Sequence, residues 1–350
     1  MTDERPRVTA EALTQCACAI FEAAGLSIND AAKVAEVLVW ANLRGVDSHG
    51  VIRLPRYLEM IEYGLMNPKP GIQILRETPA TIVIDADRAA GAVGMSKAME
   101  HAIFKAKNVG IGWALLRKST HAGAIGYFAR MASDADMIGL CITTSLPNMA
   151  YHGARGSGVA TSPIAISAPG LEHAPLTLDM ATGIVSFGKL AVARHSNQPI
   201  PEGWALTSEG EPTTDAATAA IPLPLGGPKG SGLALMFECL TSLLVANPLI
   251  APDISAPPRG KRHNQNALCM AIAISAFMDP EEYKQSVDET IAALKSLPVS
   301  DDVDEILVPG ERGDRELLAR ERDGIPIAPG TWKALEQATA NLGVKMPETL

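Results

Sequence analysis

A chain of 350 residues, 47% of them hydrophobic, can bury a large core and is long enough for two or three lobes. Its formal charge of −9 argues against nucleic acid as the main partner, because phosphate binding takes a basic surface, whereas a small anionic substrate needs only a local basic pocket. Cys16, Cys18, Cys141, Cys239 and Cys269 have no regular spacing, which fits free thiols in a reducing, cytoplasmic setting. The opening MTDERPRVTAEAL lacks the layout of a signal peptide, and no apolar run nears the roughly 18 residues of a membrane span.

In chain order, Thr9 is placed to cap a helix running to about Ala24, with Gly25 as its stop, and Asn29 to cap the next. Val34, Val37, Leu38 and Ala41 give that second helix an apolar stripe at helical spacing. A third helix carries Val51, Leu54, Leu58 and Ile61 and stops at Gly64, before the break at Pro68, Pro70 and Gly71. From Thr81 strands and helices alternate. Strands are predicted at 81–85, 112–116, 138–143, 163–168, 176–179 and 267–275, and helices at 96–107, 124–135, 184–193, 230–247 and 280–296. The tail from Glu311 to Gly343 is helical and polar-faced. The expected architecture is an α/β core with a mixed sheet plus a helical lobe built from both chain ends. Its parts are an N-terminal helical subdomain over 1–75, a core over 76–300 and a C-terminal helical segment over 301–350.

The densest chemistry lies at LRGVDSHGVIRLPRY, from Leu43 to Tyr57. Gly45 reads as a helix stop, and Asp47 or Ser48 as the cap of the next helix. With Ser48 as cap, His49 and Arg53 fall four apart on one helix face. A titratable imidazole beside a fixed cation suits a site that binds a carboxylate and moves a proton. Asp, Ser and Gly at a helix junction are also ordinary turn residues, so this stretch by itself leaves both readings open.

Further along, STHAGAIG places His121 where a strand gives way to a helix whose first amides can receive an anion. In LPLGGPKGSGLAL, glycines and Lys229 open an apolar helix, a second place suited to negative charge. Two tempting motifs fail. Gly183-x-x-x-x-Gly188-Lys189 is followed by Leu190 where a phosphate-binding loop needs Ser or Thr, and Gly156-x-Gly158 meets Thr161 where a dinucleotide fingerprint needs Gly or Ala. There is no H-E-x-x-H, cysteine quartet or G-x-S-x-G, so no metal is expected, and adjacent Asp47, Ser48 and His49 cannot align as a protease triad.

Taken together, the Asp-Ser-His-Gly turn with Arg53, Pro55 and Tyr57, the Ser-x-His stretch, Asp179-Met-Ala-Thr, Gly-Gly-x-Lys-Gly, Pro-Gly-Glu and the late Asp-Gly-Ile-Pro resemble the malate/L-lactate dehydrogenase family of the second type. The resemblance spans nearly the whole chain. It implies a non-Rossmann nicotinamide-binding fold, a homodimer, NAD or NADP as cofactor, and hydride transfer to or from a small 2-hydroxy/2-oxo carboxylic acid. It implies His49 as the acid/base group with Ser48 as its partner, Arg53 as the carboxylate grip, and Thr161 on the substrate side. His121 competes with His49 for the proton-transfer role. Implied cofactor contacts are His121, Ala122, Gly123, Ala124 and Ile125, then Asp179, Met180 and Ala181, then Lys229 and Gly230, and finally Pro309, Gly310 and Glu311. Ala122 departs from the family's usual phenylalanine, Thr161-Ser162-Pro163 from its Thr-Asn-Pro, and Pro228 and Ser231 from its glycine-rich turn. The family's cyclic imino-acid reductases carry an aspartate in the Gly188–Lys189 segment. Lysine stands there in this chain, which favours a hydroxy-acid dehydrogenase over an imine reductase. A catalytically silent, ligand-binding member is the alternative of another class.

Overall fold

The computed structural model describes residues 5–195, 197–256 and 262–350. Thr9 caps α1 (Ala10–Ala23), its hydroxyl accepting the Ala12 amide at 3.1 Å. The cap of α2 (Ile28–Leu43) is Ser27, which accepts the Asp30 amide at 3.2 Å; Asn29, the expected cap, already lies inside the first turn. After α2 the chain does not enter a helix near His49. It makes two single 3-10 turns, Asp47–His49 and Val51–Arg53, broken at the extended Gly50, and only then forms α3 (Leu54–Glu62). Neither turn has a side-chain cap, so the expected capping by Asp47 or Ser48 and the shared helix face for His49 and Arg53 are both replaced.

The centre is a seven-stranded mixed sheet. Its strands lie in the order Gln73–Glu77, Thr81–Asp85, Ile111–Ser119, Gln265–Ala273, Met137–Ser145, Ile164–Ala168 and Leu176–Met180. All neighbours pair antiparallel except Thr81–Asp85 with Ile111–Ser119, which are joined by the crossover helix α4 (Gly91–Val109). Helix α4 packs on the strands Ile111–Ser119 and Gln265–Ala273, and α5 (Gly126–Ser133) on Met137–Ser145 and Ile164–Ala168. Gly112 makes the first contact possible, since a Cβ there would sit 1.8 Å from the Ala102 carbonyl.

Leu115, Ile142 and Leu268 form a second core with Phe237 of α7 (Pro228–Glu238, after α6 at Phe187–His195) and with Val245, just past the π-turn Cys239–Leu243 that continues α7. Short strands at Ala205–Leu206, Pro212–Thr213 and Ile221–Pro222 make a separate three-stranded sheet. The remaining helices are α8 (Ile250–Ser255), α9 (Pro280–Lys295), α10 (Glu311–Asp323) and α11 (Pro329–Leu342), eleven α-helices among the described residues. Helix α10 lies against α2, α11 lies against α1 and α3, and Arg7–Val8 pairs antiparallel with Ile325–Pro326. Among the described residues no helix is long and apolar enough to cross a membrane.

Candidate active site

The double turn after α2 is fastened from behind. Asn42, in the last turn of α2, gives its Nδ2–H to Asp47 Oδ1 at 2.7 Å and receives the Val51 amide on Oδ1 at 2.8 Å. Arg320, buried on α10, donates from Nη1 to both the Asn42 carbonyl and Asp47 Oδ1 at 2.7 Å, and from Nη2 to Asp47 Oδ2 at 3.1 Å. Gly50 is packed so tightly that a Cβ there would meet Asn42 Oδ1 at 2.2 Å. Asp47 is therefore an anchor, and the charged tail helix, which reads as a solvated face in sequence, holds the turn in place.

The other side of the turn looks into a cavity of about 660 Å³, a size suited to a small-molecule site. Ser48, His49 and Arg53 line it together with His121, the run Ala122–Ile125, Thr161, and Asp179, Met180 and Ala181. Ser48 Oγ and His49 Nδ1 are 2.9 Å apart, and Arg53 donates Nε–H to the Ser48 carbonyl at 2.6 Å. No acidic side chain among the described residues pairs with Arg53, so its guanidinium stays available to a ligand. Burial, reinforced by the Arg53 charge, pulls the His49 imidazole down to about 4.

His121 sits in the loop between the strand Ile111–Ser119 and α5, and its ring stacks 5.7 Å from that of His49. Its Nδ1 lies 2.7 Å from the Tyr57 hydroxyl and accepts the Gly123 amide at 3.3 Å. Burial, then the Arg53 charge, keeps it well below the usual histidine range. Asp179 is the penultimate residue of the strand Leu176–Met180, and its Oδ2 takes the Gly126 amide at 2.7 Å. An anion expected at the start of α5 would thus find that amide occupied by a protein carboxylate. Burial raises the Asp179 carboxyl to about 6, and the Gly126 hydrogen bond and Arg44 oppose the shift.

Five of the sequence candidates do not line this cavity. Lys229 is exposed in the first turn of α7, and Gly230 packs against the Thr182 carbonyl, one residue beyond Ala181. Pro309 receives the Thr177 amide at 2.9 Å, Gly310 lies against Thr177, and Glu311 is bound by Lys295 at 2.7 Å. Pro309 and Gly310 buttress the strand that carries Asp179, and Gly230 the segment just after Ala181. Among the contributors that sequence reasoning missed are the loop Ser145–Asn148, Phe187 with Gly188, and His263, whose buried Nε2 has no hydrogen-bond partner among the described residues. The loop was findable in principle, since it leaves the end of a predicted sheet strand, a usual place for ligand-binding residues; His263 carried no signal.

An enzyme that handles a small carboxylate and moves a proton needs a free cation and an imidazole facing one space, and this mixed α/β fold supplies both. Comparison with known proteins gives the class its family: residues 8–336 match the model for malate/L-lactate dehydrogenase. The chain belongs to the malate/L-lactate dehydrogenase family. It is 40% identical over 326 residues to L-sulfolactate dehydrogenase of Methanocaldococcus jannaschii, covering 93% of this chain and 94% of that one. The solved malate dehydrogenase of Pyrococcus horikoshii superposes with a TM-score of 0.89 at 34% identity, over 99% of this chain and 98% of that one. The solved delta1-piperideine-2-carboxylate reductase of Pseudomonas syringae gives a TM-score of 0.83 at 26% identity, over 95% and 99%.

Proposed function

We propose that this protein oxidises and reduces a small 2-hydroxy/2-oxo carboxylic acid with a nicotinamide cofactor, in the cavity between the Ser48–His49 turn and the sheet. The observation that carries the reading is the Arg53 guanidinium, with no acidic partner among the described residues, in one cavity with the His49–His121 pair. Small side chains at Ala122, Gly123, Ala124, Ala181 and Gly188 leave room in that cavity for a planar ring. Ala122–Ile125 and Asp179–Ala181 would hold the nicotinamide end, and Lys229, Gly230, Pro309, Gly310 and Glu311 would meet the part of the cofactor that lies outside this cavity. When bound, the cofactor supplies the hydride acceptor or donor.

Arg53 grips the substrate carboxylate through the planar fork of its guanidinium, which fixes the reacting carbon against the histidines. Thr161 stands on the substrate side. His49, neutral above about pH 4 in the free protein, is in the form that accepts the hydroxyl proton as the alcohol is oxidised. A bound carboxylate offsets the Arg53 charge that depresses His49, so the imidazole gains proton affinity once substrate is in place. Ser48, 2.9 Å from Nδ1, orients the ring.

The sheet order and the lack of a glycine fingerprint support a non-Rossmann binding mode, and the contacts of α10 and α11 support a helical lobe made of both chain ends, with boundaries near residues 75 and 300. Exposed Leu233, Leu235, Met236, Leu243 and Leu244 give α7 and its π-turn an apolar face that fits a homodimer. The five cysteines are unpaired, in keeping with a reducing cytoplasm.

Fluorescence titration with NADH and NADPH, followed by turnover of pyruvate, oxaloacetate and piperideine-2-carboxylate, tests the proposal. Saturable binding of either dinucleotide with turnover of an oxo acid is the expected result, and the tighter of the two names the cofactor. Turnover of the cyclic imine alone would replace the substrate assignment, and binding of neither dinucleotide would overturn it. Light scattering reads the dimer.

A further inference from the structure

The two cavity histidines are held by different kinds of partner, and the difference assigns them different work. His121 Nδ1 receives the Gly123 backbone amide at 3.3 Å. A backbone N–H can only donate, so Nδ1 is an acceptor and carries no proton. The Tyr57 hydroxyl reaches the same nitrogen at 2.7 Å and the His121 carbonyl at 3.2 Å. Tyr57 is 3% exposed and its phenol is pushed up by burial, so it keeps its proton and acts as a donor as well. Two donors converge on Nδ1, which leaves the ring proton on Nε2. His49 is held otherwise. Its Nδ1 faces the Ser48 hydroxyl at 2.9 Å, and a hydroxyl both donates and accepts.

We infer that Tyr57 and the Gly123 amide lock His121 as a neutral Nε2–H donor to the substrate's C2 oxygen, and that proton transfer belongs to His49 relayed through Ser48. This rests on the dehydrogenase reading above. During oxidation the substrate hydroxyl proton passes to His49 Nε2, the Nδ1 proton moves to Ser48 Oγ, and the Ser48 hydroxyl releases its own proton to water in the cavity. His121 neither gains nor loses a proton; its N–H stabilises the oxygen as negative charge develops there. Tyr57 touches no reacting atom and is a positioning residue. Besides Tyr57, the charged and titratable groups facing His121 among the described residues are Arg53, His49 and His263, and each of these three further disfavours a charged ring.

The experiment is a two-bond proton–nitrogen correlation spectrum of the full-length protein labelled with nitrogen-15 histidine, with His121→Gln identifying its signals. The expected spectrum shows His121 protonated on Nε2 and bare on Nδ1, unchanged from pH 5 to 9. A proton on Nδ1, or a titration of His121 in that range, would overturn the assignment without the use of any substrate. Tyr57→Phe should let the Nδ1-protonated form appear and lower kcat about tenfold with cofactor affinity unchanged. In kinetics, His49→Gln should lower kcat and remove the acid-side ionisation from the pH profile of kcat/KM, while His121→Gln, which retains a side-chain N–H, should keep that profile. The reverse pattern would hand proton transfer to His121. If no hydroxy acid turns over, the function proposed above fails, and the spectrum still decides the tautomer.

Discussion

The two sides of the turn after α2 differ in how completely their polar groups are paired. Behind it, both Asp47 oxygens have partners, Asn42 uses its side-chain donor and acceptor, and Arg320 spans the two. In front, among the described residues, His49 has one hydroxyl partner and Arg53 one carbonyl, and both side chains line the cavity. The ordered side holds the geometry, and the unpaired side keeps donors and acceptors for a ligand. A site of this kind is pre-organised because its binding groups do not have to hold themselves in place.

The largest effect that would break this comparison is chemical. His49→Ala should lower kcat by roughly 10²–10⁴-fold while dinucleotide binding and stability stay near the parent values; near-normal turnover would remove His49 from the acid/base role. Next comes the open cation. Arg53→Lys keeps the charge but loses the fork, so KM for the acid should rise about ten- to a hundredfold with little change in dinucleotide affinity. On the anchored side, Arg320→Met leaves Asp47 and the Asn42 carbonyl short of donors and should cost about 1–3 kcal/mol in urea denaturation. A stability unchanged by that substitution would mean the turn is held by something other than Arg320.

The smallest effect concerns pH. His49 and His263 lie at about 4 in the folded protein, below the ordinary histidine value of 6.5. Between those limits the unfolded chain binds more protons, so their contribution to stability is complete above 6.5 and is lost as pH falls toward 4. Asp179, raised to about 6 from 3.8, has the opposite sign: its contribution is complete below 3.8 and is lost as pH rises through 6. His121, also depressed, adds to the histidine side, so net stability should fall on acidification across this window. Asp179→Asn removes the opposing group and should steepen that fall, by no more than about 1.4 kcal/mol per pH unit for the one proton involved. Melting temperatures at closely spaced pH values would show it, and a shallower slope in the variant would reverse the assigned sign.

Much of the molecule was legible locally. The Thr9 cap, the stops at Gly25 and Gly45, and the strands Thr81–Asp85 and Ile164–Ala168 follow from side-chain spacing within a few residues. The chemistry of Ser48, His49 and Arg53 was legible too, because residue type limits what each can donate, accept or titrate. Their geometry was not. Asp47 finds its partner 273 residues away on α10, and Tyr57 reaches His121 across 64 residues. The cavity gathers the turn after α2, the loop before α5, the ends of two sheet strands and the segment around His263. Caps and strand periodicity are properties of neighbours along the chain, so the sequence by itself determined them. The pairing that fixes Asp47, the tautomer of His121 and the open guanidinium of Arg53 depend on which elements pack together, and only the tertiary structure decided those.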